Sequence, residues 1–166
     1  TSLFTVLGDS GNFKTGANLF WRAAPRLDFW LEGSALNAAE DWGWGGYFRT
    51  VLRTDDEGKG SILGEIRRQD VSASRWTGIR LASDTPLYQS VHCSVGIMPE
   101  FELIIPDNPE PDEGKVWPWG RLAMRWQHEK GWAVAAAAEA SSNQNLRVDV
   151  RGLARVSYQH TWHGKK

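Results

Sequence analysis

The stretch LRVDVRGLARVSYQHTW, residues 146–162, changes character at every step. Its even positions hold Leu146, Val148, Val150, Gly152, Ala154, Val156, Tyr158, His160 and Trp162. Its odd positions hold Arg147, Asp149, Arg151, Leu153, Arg155, Ser157, Gln159 and Thr161. Successive side chains of a strand point to opposite faces, so the segment reads as one long strand with an oily face and a charged face. Strands in soluble domains usually run about five or six residues. A tilted strand crossing a bilayer takes about nine to eleven, alternating between lipid and interior. This chain must build something from long, two-faced strands.

The same alternation governs the rest of the sequence, interrupted by clusters of Gly, Pro, Asp, Asn and Ser. It predicts ten strands: Ser2 to Gly8, Asn12 to Ala23, Leu27 to Leu36, Trp42 to Thr54, Ser61 to Asp70, Arg75 to Ser83, Leu87 to Ile105, Val116 to His128, Trp132 to Ser141 and Leu146 to Trp162. The connections AAPR, DDEGKG, SDTP, HEKG and SSNQN are short, polar and rich in turn formers, as antiparallel hairpins require. The longest, PDNPEPDEG, carries three prolines that oppose both helix and ladder. Only AVAAAAEA competes for helix, since alanine favours it, and hairpin signals on both sides favour strand. The expected fold is all-β: an antiparallel up-and-down β-barrel of about ten strands, transmembrane, forming one domain over 1–166 or the C-terminal part of a larger barrel.

Composition narrows the function. The 166 residues suffice for one domain with a core. Lys and Arg total 19 against 20 Asp and Glu, so the basic excess of a nucleic-acid binder is lacking. The single cysteine, Cys93, excludes an intrachain disulfide and reads as a small buried hydrophobe. No apolar run approaches the ~18 residues of a spanning helix. No Gly-rich phosphate loop, GxSxG elbow, HExxH or Cys/His metal spacing occurs, so neither cofactor nor metal is expected. His160 and His163 lie three apart in an extended segment and point to opposite faces.

Carried through all the strands, the alternation sorts the charges onto one face. Arg49, Arg53, Arg67, Arg121, Arg125, Glu139, Arg147, Asp149, Arg151 and Arg155 are the candidate interior-lining residues, with cations in excess; they read either as a lattice of Arg–carboxylate bridges that plugs a narrow barrel or as the lining of a water-filled pore. The opposite face is aliphatic and aromatic, and Arg68 is its clearest intruder. In a soluble sandwich or lipocalin-like barrel the oily face would point inward, and periodicity alone leaves that inversion open. The ten tryptophans weigh against it. Trp42, Trp44, Trp76, Trp117 and Trp119 fall at one end of the meander, and Trp21, Trp126, Trp132 and Trp162 at the other. Two aromatic belts around an aliphatic band are expected at the two membrane interfaces, because an indole offers an apolar body and a polar N–H.

With this pattern the chain resembles the outer-membrane β-barrel proteins of Gram-negative bacteria, most sharply in ARVSYQHTW, an alternating last strand ending on an aromatic. In that family the aromatic is normally final, whereas HGKK follows here. The resemblance implies a bacterial outer-membrane location, membrane lipid as a partner, and PDNPEPDEG on the outside. It also implies either a small barrel or part of a larger export porin of the polysaccharide-secretion or phage-adsorption kind. The expected function is a pore, export channel or surface protein whose arginine-rich interior favours anionic or sugar-like solutes. Two alternatives stay open. One is a secreted carbohydrate-binding β-sandwich with Trp42, Trp44, Trp117 and Trp119 as a stacking platform. The other is a small lipid-modifying barrel enzyme, for which His92 with Ser90, Ser94 and Glu100 or Glu102 is the only suitable grouping.

Overall fold

The computed structural model describes residues 1–7, 13–38, 41–57, 59–71, 74–109, 115–142 and 148–158. Ten strands account for most of them: β1 (Ser2–Leu7), β2 (Phe13–Ala24), β3 (Leu27–Ala38), β4 (Asp41–Arg53), β5 (Ser61–Val71), β6 (Ser74–Gln89), β7 (Cys93–Pro106), β8 (Trp117–His128), β9 (Trp132–Ser141) and β10 (Asp149–Tyr158). They form one sheet in chain order, each strand antiparallel to the next. The all-β meander is therefore as expected, and the two packed layers of a β-sandwich are not what the strands build. Among the described residues no ladder joins β1 to β10. Both faces of β10 are largely exposed.

The alanine run that competed for helix is β9, paired along its length with β8 and β10. Small side chains on both faces leave its conformation to be set by its neighbours rather than by alanine's own propensity. Its hairpin with β8 closes through Gly131, whose positive φ of 86° suits a residue without Cβ. The Gly131 N–H donates to His128 O at 3.0 Å.

One predicted turn is misplaced. SDTP was expected to end one strand before another began at Leu87, yet β6 runs through it to Gln89 and the turn falls at 90–92. Asp84 pairs with Ser61 and Pro86 with Gly96, and the register shifts between Pro86 and Tyr88. A proline that cannot donate to the ladder is tolerated at such an irregularity. Ser90 makes the real turn: its Oγ accepts from the N–H groups of His92 and Cys93, and its own N–H donates to Cys93 O.

Burial is inverted relative to a soluble domain. Asp28 is 0 % exposed, Glu65 3 % and Glu100 9 %, whereas Leu31, Ile66, Leu81, Leu122 and Met124 are each more than half exposed. Val71 and Ala123 are the only buried hydrophobic residues among the described ones. Register explains the division: Arg49, Glu65, Gly78 and Arg67 share one face, and Phe48, Ile66 and Ile79 share the other. On the apolar face of the described strands the only charged side chains are Arg68, Asp70 and Arg75. They sit together at the end of the sheet that carries the 107–116 connection, here called the loop end. Arg68 is held there by Asp107 and Asp70, and Arg75 by Asp70. Cys93 lies half-buried on the apolar face, beside His128.

Candidate functional site

The charged face is the part of this molecule with chemistry to offer. Alternation places Arg49, Arg53, Arg67, Arg121, Arg125, Glu139, Asp149, Arg151 and Arg155 on it, as the sequence predicts. Arg147 lies outside the described residues. Most of them meet a side chain of opposite sign on the same face. Arg49 Nη2 reaches Glu65 Oε2 at 2.5 Å, and Arg67 Nε reaches Glu65 Oε1 at 3.3 Å. Arg80 pairs with Glu100, which also takes Arg121 Nη2 at 2.5 Å, and Arg67 pairs with Glu102. Arg22 Nε meets Asp28 Oδ1 at 2.8 Å and Arg53 takes the other carboxylate oxygen. Arg125 Nη2 meets Asp84 at 3.0 Å, and Arg151 Nη2 meets Asp149 at 2.5 Å. Buried carboxylates demand such partners, since an unpaired charge away from water is costly.

These pairs run along the sheet. Each joins strands that are adjacent or one apart, such as β4 to β5, β7 to β8 and β6 to β8, or residues of one strand. No described pair reaches across to a distant strand. The arginine excess read from the sequence is thereby largely neutralised. Arg155 is the lining arginine with no carboxylate partner among the described residues, and Asp84, read from sequence as a turn residue, is the acid that sequence reasoning missed.

The tryptophans divide differently from the expected belts. Trp21, Trp42, Trp44, Trp126 and Trp132 lie on the apolar face, with Trp21 and Trp42 53 % and 65 % exposed. Trp76, Trp117 and Trp119 lie on the charged face instead: Trp76 pairs with Gln69, and Trp119 shares its parity with Arg121. Position near a strand end fixes height along the strand, whereas odd or even spacing fixes the face. The five-indole belt expected at the loop end therefore splits, two on the apolar face and three on the charged face. Trp162 lies outside the described residues, as do 110–114 of the acidic connection.

Two of the indoles on the charged face stand beside cations. The Arg67 guanidinium lies 5.7 Å from the Trp76 ring centroid, and Arg121 lies 5.7 Å from that of Trp119. Around the second pair is a cavity of about 490 Å³ lined by Arg80, Glu100, Trp117, Trp119, Arg121 and Ser142, among others. At the opposite end, His92 Nδ1 is 2.9 Å from Glu129 Oε1 in an exposed turn contact. Glu100 is eight residues further along, roughly 26 Å in extended chain, and it is already held by two arginines. The Ser/His/acid grouping considered for a lipid-modifying enzyme is not assembled. No set of metal-ligating side chains gathers among the described residues. The chain matches no protein-family model, no curated protein and no solved structure.

Proposed function

We propose that this chain forms the wall of a transmembrane β-barrel of the bacterial outer-membrane kind and that its charged face lines a water-filled pore for polar solutes. The observation that carries this reading is the inversion of burial: carboxylates are enclosed, and a nearly charge-free apolar band faces out. Such a band needs an apolar phase, and long antiparallel strands that satisfy their backbone within the sheet are one of the two structures that can enter one. Arg68, Asp70 and Arg75, with outward Trp42 and Trp44, mark the headgroup level at the loop end.

In hydrocarbon the free edges of β1 and β10 must find partners. The two strands run in opposite directions, so antiparallel pairing between them, directly or through further strands, completes the wall. A pore is favoured over a charge-filled plug by the direction of the ion pairs, which follow the wall. A plug requires pairs between opposite walls. Arg155 and Glu139 stand outside the ion pairs among the described residues, and cations still slightly outnumber carboxylates on this face, which raises the local anion concentration.

Reconstitution into planar bilayers tests this. The expected result is a conducting channel with mild anion preference that declines in Arg155→Gln and as salt shortens the Debye length to about 8 Å near physiological strength. A stable protein that inserts and stays silent would overturn the pore, and cation selectivity would overturn the role of Arg155.

A further inference from the structure

We propose that the cavity beside Trp117 and Trp119 is a binding site for an acidic saccharide, with the indoles stacking on a sugar ring and Arg80 and Arg121 receiving its anionic substituent. Three observations combine here. The first is the pair of indoles on the charged face at i and i+2, at a strand end where outward indoles would have served as membrane anchors. Membrane anchoring does not explain aromatic rings turned toward the polar side. An apolar ring face does suit the C–H face of a pyranose.

The second is the local hydrogen-bond balance. Both carboxylates of the cavity are already satisfied by guanidinium groups: Glu100 by Arg80 and Arg121, and Glu102 by Arg67. The buried polar atoms left without a partner here are Arg80 Nε, Arg121 Nε and Trp117 Nε1, and all three are donors. A site with spent acceptors and spare donors favours a ligand rich in acceptors, and a carboxylate is the strongest match for guanidinium. The third is shape. About 490 Å³ lies within the usual range of small-molecule sites and holds a sugar unit with room to spare. The Ser141 and Ser142 hydroxyls add adaptable donors and acceptors at the rim.

As a solute-recognition step the proposal rests on the pore reading. The cavity, however, belongs to the folded protein in detergent, where binding is measured without conduction, so the two can fail separately. Calorimetric titration of the purified full chain compares tetragalacturonate, neutral maltotetraose and sodium sulfate. Tetragalacturonate is expected to bind at least about tenfold more tightly than either of the others, since only it offers both ring and charge. Trp119→Ala and Arg121→Gln should each weaken it about tenfold, and the apolar-face control Trp132→Phe should leave it unchanged. Because Arg121 also belongs to the ionic lattice, Ser142→Tyr is the second variant: it fills the cavity, leaves every ion pair in place and should abolish binding. Equal binding of maltotetraose, equal binding of sulfate, undetected binding of tetragalacturonate, or full binding by Ser142→Tyr would each overturn the proposal.

Discussion

Leu81→Arg separates a lipid-facing band from a water-facing one at a single position. Leu81 lies mid-strand in β6, 56 % exposed, with Gly64 and Phe101 directly opposite on the two neighbouring strands. The nearest outward charges, Arg75 and Arg68, lie at the loop end. If this face met water, an exposed substitution away from any special contact would change stability by about 0.5 kcal/mol or less. In hydrocarbon, arginine near the midplane of a barrel's outer face costs about 2 to 4 kcal/mol. Gly64 leaves space beside Leu81, so the added bulk of arginine contributes little to the difference. Urea unfolding in lipid vesicles, followed by tryptophan fluorescence, reads the cost directly. The inward neighbour Arg80 supplies the contrast: Arg80→Gln should destabilise by losing its bond to Glu100, in lipid and in detergent alike. A Leu81→Arg protein as stable as the parent, to within about 0.5 kcal/mol, would refute the assignment of the two faces.

Glu100→Gln removes the carboxylate between Arg80 and Arg121 and should cost about 3 kcal/mol, the lower end for a broken buried pair, because those guanidiniums are 27 % and 37 % exposed; chemical denaturation gives the value, and a neutral outcome would mean the lattice is not holding the wall. At the loop end, hydrogen bonds from Arg68 and its positive charge hold the Asp107 carboxyl below its ordinary range. A lowered folded-state pKa contributes stability that is complete above the unfolded value of about 3.9 and disappears as pH falls through the folded one. Thermal unfolding of wild type and Asp107→Asn should therefore converge at low pH, separate as pH rises through the lowered folded value, and keep a constant gap above about 4; curves that stay parallel down to low pH would exclude this contribution.

The sequence made the period, the strand number and the sorting of charges legible, because a two-residue repeat writes face directly into parity. Arg49, Arg121 and Arg151 stand where that repeat puts them. Height and face are separable in the same way: closeness to a strand end gives Trp76, Trp117 and Trp119 their height, and parity gives their face. The signal was present: Trp119 and Arg121 are two apart, so they share a face. The turn between β6 and β7 was hidden by SDTP, whose turn chemistry is overridden by tertiary pairing of Asp84 with Arg125 and by an irregularity that absorbs Pro86. The pairing of Asp84 with a residue 41 positions away leaves no local trace in sequence. The interleaved signs already allow a lattice of Arg–carboxylate bridges, but a charge count cannot tell a paired guanidinium from a free one, so which arginines are neutralised is left to the structure.

The alanines of β9 allow the central claim to be tested with one native residue type. Ala136 and Ala138 face outward and Ala135 and Ala137 inward, alternating exposed and half-buried. With Cys93 replaced by serine, each alanine is changed in turn to cysteine and labelled with a small fluorophore in lipid vesicles. Quenching by bromine-bearing acyl chains should be strong at 136 and 138 and weak at 135 and 137, while aqueous iodide should give the opposite order. Labels that ignore the brominated chains at all four positions, or that respond in the reversed phase, would contradict a wall whose apolar face meets lipid.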